Sequence, residues 1–220
     1  MQKRLALFDF DGTMIKGDSI AALVRAQFFQ DIISLKDLLI ILWQTLCWKL
    51  GKLPVESVKT RSLAGLSAIP SAQAEQFLNE FATKALYPRI YRKAIKKLQA
   101  HKDKGHIVVL VSASPLCYLQ YLQDLLPVDH IIATQTDEQY KVTCNVVKEE
   151  KCRQIQAWVD SHKLDVDWAG SYAYGDSAND LPMLGMVGMP RLVNAHAKAR
   201  KLRPNTVLEQ WKGKTINGAQ

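Results

Sequence analysis

The sequence predicts an α/β protein: a doubly wound, Rossmann-like parallel sheet with an inserted all-helical cap. Three observations predict it. Short apolar runs alternate with helical patterns from Pro88 to Val193, as strands and crossover helices of a parallel sheet do. The first apolar run, Leu5–Phe10, is separated from the second, His106–Val111, by a helical stretch too long for an ordinary crossover. Acidic or hydroxyl residues stand where several of these runs end, at Asp9, Ser112 and Asp176, the edge at which open parallel sheets place their ligands.

Leu5–Phe10 ends in acidic residues and glycine, as a central strand opening into a loop does. From Asp18 to about Leu86 the pattern turns helical. Ile20, Leu23, Val24 and Phe28 recur at helical spacing, as do Ala74, Phe77, Leu78, Phe81 and Ala85. Ser71 is placed to cap the later helix. Pro88 punctuates the stretch, so the cap is expected over residues 17–87 and the core over 1–16 and 88–220. An amphipathic helix with Ile90, Ala94, Ile95 and Leu98 on one face ends at Gly105. His106–Val111 reads as a strand, and Ser114 and Pro115 as the opening of a helix. Asp129–Thr134 is expected as a strand, Lys148–His162 as a helix and Ser171–Tyr174 as a strand. A helix from about Ala178 to Met186 and a short strand, Met189–Val193, complete the alternation.

Ile32–Leu50 is unusually apolar, with 13 hydrophobic residues among 19. Lys36, Asp37, Gln44 and Lys49 interrupt it, and its longest unbroken apolar run is Leu38–Trp43. A spanning helix needs roughly 20 predominantly apolar residues. A buried cap helix is the first expectation, and a helix lying on an anionic membrane surface the second.

Hydrophobic residues make up 48% of the chain, enough for a buried core and too many for a disordered protein. The net charge of +8 is spread over several helices with no long basic tract or aromatic–basic interleaving. Nucleic acid is therefore not the expected partner, while a cationic rim would attract phosphate esters. Cys47, Cys117, Cys144 and Cys152 form no C-x-x-C pair and are expected as buried thiols in a reducing compartment. The five histidines lack zinc-site spacing. Met1–Arg4 and the apolar run after it are too short for a signal peptide and are broken by Asp9 and Asp11. A cytoplasmic location is expected.

The chemistry lies in four ordered segments: Asp9-Phe10-Asp11-Gly12-Thr13, Val111-Ser112-Ala113-Ser114, Glu149-Glu150-Lys151, and Gly175-Asp176-Ser177-Ala178-Asn179-Asp180. A phosphate monoester carries about two negative charges, so an anionic nucleophile reaches phosphorus only where cations neutralise the site. Asp9 is placed to attack phosphorus, and Asp11 to protonate the leaving oxygen and then activate water. The same Asp-x-Asp-Gly is equally an acidic turn after a strand. Asp176 and Asp180, at i and i+4, can face one spot, and Mg²⁺ prefers such hard oxygens. Asp9, Asp11, Asp176 and Asp180 form the candidate metal-binding set, with Asp9 and Asp176 the leading ligands. Helix capping by Asp176 or Ser177 accounts for one of these residues but not the set. Ser112 and the backbone N–H groups of Ala113 and Ser114 can hold phosphate oxygens. Lys151 can neutralise charge on the transferring group, with Lys148 competing for that role.

In this order the segments resemble the haloacid dehalogenase superfamily of phosphohydrolases, over residues 1 to about 195. The helical insert after the first segment resembles the phosphoserine phosphatase branch. The resemblance implies Asp9 as nucleophile, Asp11 as acid/base, Ser112 and Lys151 around the phosphate, Asp176 and Asp180 at Mg²⁺, and Asn179 near the phosphate. It further implies substrate contacts from Asp18, where that branch carries Glu, and from a cap arginine, for which Arg61 is the candidate. Ser112-Ala113-Ser114 replaces its Ser-Gly-Gly, no aromatic stands near Val55, and Lys148 replaces the glycine of its Gly-x-x-Lys. Related bacterial phosphatidylglycerophosphate phosphatases share a very apolar cap.

A magnesium-dependent phosphatase of a small phosphate ester is expected, working through an aspartyl-phosphate on Asp9. A lipid phosphatase at a membrane surface and a phosphate-binding regulatory module without turnover are the alternatives. An intact Asp11 argues against the module, because a pure binder needs no acid/base.

Overall fold

The computed structural model describes residues 2–217; residues 1 and 218–220, assigned above to the core, lie outside the described residues. Seven strands form one sheet: β1 (Leu5–Phe8), β2 (Ile107–Pro115), β3 (His130–Thr136), β4 (Val142–Cys144), β5 (Tyr172–Gly175), β6 (Met189–Val193) and β7 (Val207–Glu209). Their order is β4-β3-β2-β1-β5-β6-β7, and every pairing except β3 with β4 is parallel. The chain starts at the centre of the sheet, builds outward to one edge, and then returns to build outward to the other. That reversal beside β1 is the topological switch point at which α/β sheets bind ligands.

All four residues of β1 are buried, because helices cover both faces of the sheet. Strand alternation sends Ala6 and Phe8 of β1, with Val108 and Leu110 of β2, into one core. Leu5, Leu7, Val109 and Val111 enter the other. Between β1 and β2 run α1 (Ser19–Phe29), α2 (Leu35–Lys49), α3 (Val55–Leu63) and α4 (Ser71–Glu80), then a π-helical turn (Phe81–Leu86) and α5 (Arg92–Lys102). After β2 come α6 (Leu116–Leu119), α7 (Glu149–Ser161), α8 (Leu181–Gly185) and α9 (Ala197–Leu202). Ile155 and Val159 of α7, Met183 of α8 and Ala199 of α9 fill the second core. Leu23, Leu63, Phe77 and Phe81 from the insert share the first core with Phe8, Phe10 and Leu110. The cap and the sheet are thus joined by continuous apolar packing.

The helical pattern begins at Asp18 as expected: it is the N-cap of α1, accepting from Ala21 N at 2.8 Å. Several other expectations need correction. Ser71 is not a cap: Pro70 takes that position, pre-set in extended backbone, and Ser71 is the first helical residue. β2 runs on through Ser114 to Pro115, so the following helix is a single α-turn and Ser114 points its hydroxyl elsewhere. The helix expected from Ala178 begins as a 3₁₀ turn, with α8 following from Leu181. Cys47 is buried, whereas Cys117, Cys144 and Cys152 are half-buried; all four are free thiols.

The largest difference concerns α2. Only Ile41 and Cys47 are buried in it, and its capping box at Ser34 and Asp37 holds it as a regular helix on the outside of the cap. It is not the buried helix its composition suggests. Among the described residues, no helix is long and apolar enough to cross a membrane.

Candidate active site

The four segments converge at the C-terminal ends of β1, β2 and β5. Asp9 follows β1 directly, and its N–H still donates to Tyr174 O of β5 at 2.9 Å, which fixes the start of the loop. Gly12 turns that loop with φ +77°, and a Cβ on it would lie 2.3 Å from Asp176 Oδ2. Only glycine allows the first and last segments to close on one another here. Gly175 serves the same closeness on the other side, since a Cβ there would meet Asp180 Cβ at 2.5 Å.

Lys151, in the first turn of α7, is only 1% exposed. Its Nζ donates to Asp9 Oδ1 and Asp180 Oδ1, each at 2.7 Å, and to Val111 O at 3.1 Å. Thr13 Oγ1 donates to Asp9 Oδ2 at 2.9 Å. Ser177 donates to Asp180 Oδ2 from both N, at 3.0 Å, and Oγ, at 2.8 Å. Asp180 therefore serves a capping box and the site together. Lys148, the competing lysine, is exposed. It holds φ 52° and ψ −122°, a backbone region suited to glycine. A glycine would hold this backbone without strain.

Burial dominates the electrostatics. Desolvation, with repulsion from Asp180, pushes the Asp9 carboxyl up to about 6 despite Lys151. Desolvation, Asp9 and Asp180 push Asp176 up to about 8. Burial also opposes the charges of Lys151 and Asp180, but their mutual attraction and hydrogen bonds more than offset it. Lys151 is held above the ordinary lysine value and Asp180 below the ordinary carboxylate value. Asp9, Asp176 and Asp180 can each present an oxygen within 4.8 Å of the others. Three buried carboxylates against one ammonium form a donor set of hard oxygens with excess negative charge, which fits a divalent cation such as Mg²⁺. Asp11 does not join this set. Its Oδ1 accepts from Ser19 N at 2.7 Å, and its Oδ2 from Ser19 Oγ at 2.8 Å and from Ser114 Oγ. Burial, with the charge of Asp18 nearby, pushes it up to about 7.

Ser112 is buried and its Oγ accepts from Ser114 N at 3.0 Å, leaving its own proton for an anion. Ala113 O accepts from Lys59 Nζ at 2.5 Å and from Thr134 Oγ1 at 2.7 Å. Asn179 is exposed at the rim, its N–H donating to Ser177 Oγ at 3.3 Å. Asp18 is exposed at the mouth, where it acts on Asp11 and Lys59.

Arg61 does not join the site. It pairs with Asp37 of α2 at 2.6 Å, tying α3 to α2. The cap cation that reaches the pocket is Lys59, two residues earlier on α3. Besides Ala113 O, its Nζ donates to Asn145 Oδ1, while Asn145 Nδ2 donates to Glu56 Oε1 at 2.6 Å. Burial pushes the Lys59 ammonium down to about 8, against the pull of Glu56 and Asp11.

Two further residues stand beyond the four segments. Asn194, at φ 49° just after β6, donates from Nδ2 to Gly12 O at 3.1 Å and Thr13 O at 3.3 Å. Its Oδ1 accepts from Trp211 N at 2.8 Å, so it pins the Asp9–Thr13 loop to the C-terminal segment. His196 Nε2 stands 3.3 Å from Asp176 Oδ2. The only sequence signal for either is a polar residue following a strand end.

A family model for haloacid dehalogenase-like hydrolases matches residues 6–185. A histidinol-phosphatase of Neisseria meningitidis serogroup C is 26% identical, the match covering 90% of this chain and 94% of that protein. A protein of unknown function from Bordetella pertussis Tohama I superposes with TM-score 0.80 at 23% identity, over 95% of this chain and 99% of that one. Substrate-bound phosphoserine phosphatase superposes with TM-score 0.66 at 18% identity, over 98% and 96%. These structural likenesses show the fold, including the helical insert between the first two segments.

Proposed function

We propose that this chain, which belongs to the haloacid dehalogenase-like hydrolase family, is a phosphatase that hydrolyses a small phosphate monoester through an aspartyl-phosphate on Asp9. The observation that carries this reading is the contact of Lys151 with both Asp9 and Asp180 at 2.7 Å, inside a cluster of three convergent carboxylates.

Asp9, Asp176 and Asp180 would hold Mg²⁺, which when bound neutralises phosphate charge and lets an anionic nucleophile approach. Lys151 and the Ser112 hydroxyl orient the phosphoryl oxygens. Asp9 attacks phosphorus as the ester P–O bond breaks. Asp11, whose raised pKa keeps much of it protonated near neutrality, gives its proton to the departing oxygen. Asp11 then takes a proton from water as that water attacks phosphorus. The bond to Asp9 breaks, inorganic phosphate leaves and the carboxylate is restored. The cap, residues 17–87, closes over the ester, with Lys59, Glu56 and Asp18 at its inner face. This mixed set suits a leaving group bearing both an amino and an anionic or hydroxyl group. Phosphoserine and histidinol phosphate are the first esters to try, the latter because a similar protein carries that activity in its name. A lipid phosphate is a second reading, favoured by the exposed apolar face of α2.

The test is phosphate release from these esters, sugar phosphates and phosphatidylglycerophosphate, with magnesium or chelator. Magnesium-dependent release is expected, reduced at least about 10³-fold in Asp9→Asn with the fold retained. Undiminished turnover in Asp9→Asn would refute the mechanism. Phosphate binding without turnover of any ester would leave the regulatory module.

A further inference from the structure

The outer face of α2 is apolar and uncovered. Leu35, Leu39, Leu42, Trp43, Leu46 and Leu50 recur at helical spacing and are each between 48% and 65% exposed. Scattered exposed leucines are ordinary, but a continuous stripe of this kind marks an interaction surface. Its charged surroundings indicate what covers it. Lys36, Lys49 and Lys52, on α2 or just after it, are exposed and make no ion pair among the described residues. The two acidic residues in the same stretch are Asp31 and Asp37, and Asp37 is engaged by Arg61. The surface is therefore an apolar ridge with cations at its ends, on a chain of net charge +8.

We propose that α2 docks the cap onto an anionic lipid surface. Fifteen residues make a helix about 22 Å long, too short to cross a hydrocarbon core of about 30 Å. Lying flat, it can bury the leucines while Lys36, Lys49 and Lys52 extend to the headgroups. Trp43, at the edge of the stripe, suits the headgroup boundary. A protein partner would need both an apolar groove and an acidic rim to match the same surface, whereas an anionic bilayer offers both at once. The inference is independent of which ester is hydrolysed. It also links the surface to the site, because the Arg61–Asp37 pair ties α2 to α3, the helix that carries Lys59.

The experiment is co-sedimentation of the full chain with phosphatidylglycerol–phosphatidylcholine vesicles and with phosphatidylcholine vesicles. Its comparisons are wild type, Leu39→Gln/Trp43→Gln/Leu46→Gln, and Lys36→Glu/Lys49→Glu/Lys52→Glu. Wild type is expected to bind the anionic vesicles at least about tenfold more tightly than the neutral ones, with affinity falling as salt rises. Each triple variant is expected to lose about tenfold or more. Circular dichroism and turnover of a soluble ester should stay unchanged, since none of these residues lies in the active site. Absent binding to anionic vesicles, or binding equal in the apolar variant, would overturn the proposal. So would concentration-dependent dimerisation of the wild type, abolished by the same apolar substitutions, because the stripe would then belong to a second copy of the chain.

Discussion

The pocket at the strand ends and the outer face of α2 depart from the usual partition of residues in opposite directions. At the strand ends, Lys151, Asp9, Asp176 and Asp180 are buried, although charged side chains ordinarily stay in water. On α2, leucines and tryptophans that would stabilise a core lie open. The two departures differ in how completely each is compensated within the chain. The buried charges are held by short contacts among themselves, by Thr13 and by Ser177. The exposed leucines have no such compensation. The first region is largely preorganised for chemistry, needing a cation to balance its remaining charge. The second is incomplete until something covers it.

Breaking the first region should be costly. Lys151→Met leaves three buried carboxylates without their ammonium, and stability is expected to fall by about 3 kcal/mol, measured by urea unfolding without metal. A loss comparable to that of a surface substitution would show that the buried pairs do not hold the site. The cation requirement gives a second prediction, with a definite sign. Asp9 and Asp176 are pushed up to about 6 and about 8, so in the metal-free protein Asp176 is largely protonated at pH 7 and Asp9 follows below pH 6. A metal must displace those protons. Magnesium affinity should fall about tenfold per pH unit between pH 8 and pH 6, and more steeply below. Calorimetry showing pH-independent affinity would contradict the assignment of these ligands.

Relieving strain beside the site gives a smaller effect of opposite sign. Lys148→Gly suits the backbone at φ 52° and should raise stability by about 1 kcal/mol. A loss of stability would mean that the side chain outweighs the strain. Smallest of all, replacing Leu39 and Trp43 with glutamine should change stability by about 0.5 kcal/mol or less. A loss of several kcal/mol in thermal unfolding would show that α2 is packed after all.

The contrast also explains what could be read from the residues alone. The four segments are local in sequence, and three of them follow short, continuously apolar runs that end in a carboxylate or hydroxyl, at Asp9, Ser112 and Asp176, so they are recognisable before any fold is known; Lys151 instead opens a helix. β4 and β7 are three residues each and half-exposed at the sheet edges, too short for any periodicity. The choice between Arg61 and Lys59 depends on helical register. Two residues turn a helix by about 200°, and nothing local in Val55–Leu63 says which face meets Ala113. Asn194 and His196 reach the site only through the packing of β6 against β5 and of the C-terminal segment against both. For α2, composition identifies an apolar helix but cannot say whether the rest of the chain supplies a surface to cover it.

If Asp9 is phosphorylated in turnover, acid-quenching the enzyme with a turned-over ester, followed by mass spectrometry of its peptides, will trap the adduct. A phosphoryl group is expected on Asp9, accumulating further in Asp11→Asn, where activation of water is slowed. Rapid turnover with no adduct, or an adduct on another residue, would contradict this role of Asp9.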